Sequence, residues 1–75
     1  MGLNQVLYLQ TNISHLYMKQ HNLTPSEFLE IDRKYGILKF LETGYELFHL
    51  TGPEGVLDEV EEYIRIRHDI EIKNT

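Results

Sequence analysis

Apolar residues recur along this chain at three- and four-residue intervals, interrupted by marked stops, and that rhythm predicts helices packed by one face. Val6, Leu9, Ile13, Leu16 and Tyr17 share a face of a helix over residues 4–21, widened by Leu7 and Met18, with Gln5, Gln10, Thr11, Asn12 and Lys19 largely opposite. His21-Asn22 breaks the pattern, and Asn22 tolerates the left-handed conformation that closes a helix. The second helix, over 25–35, opens with a full signature: Leu23 as staple, Thr24 as N-cap, Pro25 at the first position and Glu27 completing a capping box. Phe28, Ile31 and Tyr35 mark its apolar face. Arg33-Lys34 complement the helix dipole before Gly36 stops it.

Residues 37–43 are apolar over most of their circumference, through Ile37, Leu38, Phe40 and Leu41, and predict a short buried helix at the centre of the core, ending at Gly44. Residues 45–50 alternate weakly, but no second strand exists to pair with them, so they read as an extended segment or a helical turn. Thr51 as N-cap, Pro53 in the first turn and Glu54 closing a second capping box introduce a last helix over 53–67, carrying Val56, Leu57, Val60, Tyr63 and Ile64 inward. Residues 69–75 lie at the terminus, where fraying is the default. The expectation is an all-α fold: one domain over 1–75 with its core at 6–67, built as a compact bundle of about four helices.

Composition then narrows the function. A chain of 75 residues supplies roughly 3–5 kcal/mol from a single core, and with no cysteine it has neither disulfides nor thiolate metal sites to add to that. A homodimer is the remaining way to bury more of a chain that is 41% hydrophobic. No basic leader precedes an apolar run, and no run approaches the ~18 residues of a membrane span, so the expected location is the cytoplasm, away from membranes. Net charge is −5, with seven of the twelve acids in residues 54–75, a surface that repels nucleic acid and suits a basic protein partner.

Candidate chemistry is sparse. His15 and His21 are six residues apart, on different helix faces, and His68-Asp69 are adjacent, so no metal-ligand spacing emerges and no cofactor is expected. His49 has Tyr45, Glu46 and Thr51 within local reach, the outline of an acid/base or small ligand-binding site that a dimer would complete. The same outline arises whenever a half-buried histidine satisfies its ring nitrogens. A helix-turn-helix reading, with 25–35 supporting and 37–43 reading DNA, fails on its chemistry: the recognition helix would offer Lys39 amid core residues. Tyrosines at 8, 17, 35, 45 and 63 exceed what so small a core buries comfortably, which favours a non-enzymatic protein–protein interaction module. Its expected surface combines Tyr45 and His49 with Asp58, Glu59 and Glu62 of the last helix, and Tyr63 as an aromatic anchor.

The run Asn22-Leu23-Thr24-Pro25-Ser26-Glu27-Phe28, then Lys34 to Leu41, then Tyr45 through Gly52 and Val56 to Ile64, resembles a family of small bacterial all-helical domains of unknown function. The resemblance covers roughly residues 6–67. It implies a context in which some members are encoded beside an ADP-ribosyltransferase-like protein, as a toxin and its antidote would be, and hence an antitoxin-like or accessory role. It supplies no catalytic residues, and it leaves Asp58 and Glu59 as alternatives for an acid of the last helix.

Overall fold

The computed structural model describes residues 3–73, which form α1 (Leu3–His21), α2 (Pro25–Tyr35), α3 (Ile37–Thr43), α4 (Tyr45–Phe48) and α5 (Pro53–Lys73), with no strand among the described residues. The joints are local and chemical. Asn22 takes φ 54° after α1. At the start of α2 the Thr24 hydroxyl accepts the Glu27 N–H at 3.2 Å and the Glu27 carboxylate accepts the Thr24 N–H at 2.8 Å, the complete capping box. Gly36, at φ 72°, closes α2 by donating its N–H to the Asp32 carbonyl at 2.7 Å, and the Asp32 carboxylate then accepts the Leu38 N–H at 2.8 Å inside α3. One turn of chain thus ends one helix and caps the next.

α3 lies at the centre, as its all-round apolar sequence predicts: Ile37 and Leu41 are fully buried. Around them close Ile13 and Tyr17 of α1, Phe28 of α2, Phe48 of α4 and Val56 and Val60 of α5. Phe40 stacks on Tyr63 at 4.1 Å and leans on Phe48 at 5.3 Å, tying α3 to both α5 and α4.

Three local expectations are corrected or resolved. Residues 45–48 form a single helical turn, because the N–H groups of Phe48 and His49 find the carbonyls of Gly44 and Tyr45. Thr51 is not the N-cap of α5: the first intrahelical bond runs from the Val56 N–H to the Gly52 carbonyl, and the Thr51 hydroxyl donates back to Leu47 at 3.2 Å. Gly52 therefore stands at the cap with Pro53 as the first helical residue. Residues 69–73 are helical, with α5 continuing to Lys73, since no Gly or Pro interrupts it after Gly55 and its last turns are held to α2 by Lys34–Glu71 at 3.1 Å and Tyr35–His68 at 3.2 Å. Residues 74 and 75 of that expected tail lie outside the described residues.

Candidate functional site

The single turn of α4 places Tyr45 and His49 at i and i+4, so their side chains share a face. Their rings stack 4.9 Å apart and within 9° of parallel. The carbonyl of Tyr45 lies 2.9 Å from His49 Nδ1. A carbonyl only accepts, so Nδ1 carries the proton and Nε2 is the acceptor of the neutral ring. Tyr45 is buried and donates its hydroxyl to the Gln5 side chain at 3.4 Å, whereas His49 is exposed.

This stack forms one wall of an open cleft of about 580 Å³. The facing wall comes from α1, through Asn4, Gln5, Tyr8, Leu9, Asn12 and Ile13, and the floor is closed by Phe48, Thr51, Pro53 and Val56. The α1 wall is absent from the sequence-based surface, which assigned Gln5 and Asn12 to an ordinary polar face. A signal was present: Asn4, Tyr8 and Asn12 recur every four residues, a stripe of amides around an aromatic on one line of the helix. Tyr8 is 72% exposed, the tyrosine that the core does not absorb. Among the described residues, no Asp, Glu, Lys or Arg borders the cleft. The carboxylate that an acid/base site would need is therefore missing from it: Glu46 is exposed, and the His49 nitrogen it was expected to orient is satisfied by backbone.

A second groove of about 610 Å³ runs between Leu16, Lys19 and Gln20 of α1 and Glu54, Leu57 and Asp58 of α5. Pro53 borders the first cleft and Glu54 the second, so the two adjoin at the first turn of α5. Asp58 lines this second groove and not the Tyr45–His49 cleft, and Glu59 is exposed beside it in sequence. Glu62 and Tyr63 are engaged elsewhere. Arg65 hydrogen-bonds Glu62 and holds its carboxyl below the usual carboxylate range. The Tyr63 ring is stacked on Phe40 and covered by Arg67 at 4.5 Å, and its hydroxyl donates to the Tyr35 carbonyl.

The remaining acids divide sharply. Glu27 and Asp32 cap helices, Glu30 pairs with Arg33, Glu42 with Lys39, Glu61 with His21, Asp69 with Arg65 and Glu71 with Lys34. Among the described residues this leaves Glu46, Glu54, Asp58 and Glu59 without a hydrogen-bonded or ionic partner, all within residues 46–59. The cations a helix-turn-helix would present, Arg33, Lys34 and Lys39, are each paired with a carboxylate. No group of three or more His, Cys, Asp or Glu among the described residues is placed to hold a metal ion, and no helix among them is long and apolar enough to cross a membrane.

Compared with known proteins, residues 13–67 match the family model described as Protein of unknown function (DUF3791). No curated protein and no solved structure matches the chain.

Proposed function

We propose that this chain, which belongs to the DUF3791 family of unknown function, is a non-enzymatic interaction module that docks another protein on the face built by α1, α4 and the start of α5. The observation that supports this reading most is an uncharged aromatic cleft that adjoins a groove lined by Glu54 and Asp58, two of the carboxylates that the fold leaves unpartnered. Interfaces combine an apolar anchor site with a charged rim in this way. Catalysis has less to support it, because no carboxylate among the described residues borders the cleft and the Thr51 hydroxyl proton is committed to the Leu47 carbonyl. An antitoxin-like or accessory role beside a neighbouring protein, in the cytoplasm of a bacterium, is consistent with such a module.

Tyr45 is a core residue, so the test falls on exposed positions. The tagged protein, produced in its host with the products of adjacent genes, should capture a protein that His49→Glu and Glu54→Lys/Asp58→Lys variants lose, while Glu30→Ala on α2 retains it. All should keep the parent's circular dichroism. Capture that survives His49→Glu with unchanged yield would remove this face from consideration.

A further inference from the structure

Resting on that reading, we infer that the partner is a basic amphipathic helix that lies along the α1–α5 seam, with an apolar anchor in the Tyr8–His49 cleft and Lys or Arg over Glu54 and Asp58. The anchor's chemistry follows from the cleft. Among the described residues its walls hold amides, aromatics and aliphatic groups but no carboxylate, lysine or arginine, so an ion buried there would lack a counter-charge. An aromatic or branched apolar side chain meets no such penalty, and the amides of Asn4 and Asn12 offer hydrogen bonds at its edge.

The charge follows from the second groove. Glu54 and Asp58 are i and i+4 on α5, a like-charge pair that destabilises a helix, and Asp58 lies beyond the first turn, where the helix dipole no longer compensates it. Most acids elsewhere among the described residues are paired or capping; Glu54 and Asp58 are neither. Lys19 stands on the opposite wall of the groove, yet it forms an ion pair with neither acid. Cations brought by a partner would relieve that repulsion.

The helical form follows from the fold. With no strand among the described residues there is no sheet edge to which an extended peptide could add, and two clefts that follow one another along α1 and α5 suit a helix laid in the groove. The α1 walls of the two clefts centre near residues 8 and 18, about 15 Å apart at the rise of a helix. A partner helix would therefore carry its basic residues two to three turns from its anchor.

The probe is a synthetic helical peptide of about 18 residues built to that spacing, titrated into the isotopically labelled protein and followed by amide chemical shifts. Its two controls replace the cations by Glu or the anchor by Ser. The basic peptide should saturate, shifting Tyr8, Asn12, His49, Leu57 and Asp58, and weaken steeply as salt is raised. Glu54→Gln/Asp58→Asn should cost on the order of tenfold in affinity without lowering the urea midpoint. Equal binding of basic and acidic peptides, shifts confined to other faces, or no saturation by the basic peptide would overturn the inference. If the basic peptide fails while host capture still depends on His49, the partner's chemistry is wrong and the interaction reading stands. Loss of both overturns both.

Discussion

The imidazole of His21, the last residue of α1, meets the carboxylate of Glu61, midway along α5, at 2.8 Å across forty residues of sequence. The same ring lies 4.4 Å from that of Tyr17, so it closes the end of the core with one face and the polar surface with its nitrogen. Both partners are about one-third exposed, which places the pair among surface interactions. A double-mutant cycle on His21→Ala and Glu61→Ala, read by urea unfolding, should give a coupling of about 0.2–1 kcal/mol. A coupling above that range would show a pair shielded from water.

Ile37 has no exposed surface, while Leu50 is 81% exposed one helix later. Ile37→Ala should cost about 2–5 kcal/mol and Ile37→Val about 0.5–1.5 kcal/mol, whereas Leu50→Ser should stay within about 0.5 kcal/mol of the parent. In a domain of this size the first change consumes most of the stability. Thermal melts of the three variants check the order.

Gly44 and Gly52 both precede helices, but for different reasons. A Cβ at Gly44 would collide with the Phe48 ring inside the core, whereas one at Gly52 meets nothing within 4 Å. Gly44→Ala should therefore lower the unfolding midpoint markedly, and Gly52→Ala only by the small difference between cap residues. Equal effects would show that Phe48 moves aside freely.

Tyr17 is buried, and burial first, then the nearby Glu61 charge and Tyr35, raise its phenol above the ordinary value of 10.0. A raised folded-state pKa contributes stability that is complete below the unfolded value and is lost as pH rises through the folded one. Stability should accordingly fall at alkaline pH beyond 10.0. Tyr17→Phe, whose ring still fills the core, should remove part of that slope while leaving stability near neutral pH almost unchanged. Urea unfolding across the alkaline range, with phenolate absorbance recorded alongside, checks both.

The helices and most of their ends were legible because capping and periodicity are short-range. Thr24 to Glu27 spans one turn, and Asn22 and Gly36 need only their own backbone angles. The Thr51 capping box failed for an instructive reason: a Thr four residues after Leu47 can satisfy its hydroxyl on the turn behind it as readily as on the helix ahead. The end of α5 was missed because its anchors, Lys34 and Tyr35, belong to another helix.

Of the candidate surface, Tyr45 and His49 came together because four residues separate them, and local spacing reveals such pairs. Tyr63 shows the opposite case, since an aromatic at the edge of an amphipathic face looks the same whether it meets a partner or, as here, Phe40 and Arg67 of its own chain. The α1 wall of the cleft was written as Asn4, Tyr8 and Asn12, but its meaning required knowing that α4 stands opposite.

The sequence by itself determined that this is an all-α domain, where four of its helices begin, that α3 is central and that the surface is acidic, because propensity, capping and net charge are properties of neighbouring residues or of the whole chain. Only the tertiary structure decided which acids are left over. Whether a carboxylate is neutralised depends on what folding brings within about 4 Å, and it brings His21 to Glu61 and Lys34 to Glu71 while leaving Glu46, Glu54, Asp58 and Glu59 unpartnered, Glu54 and Asp58 lining the groove next to an uncharged cleft.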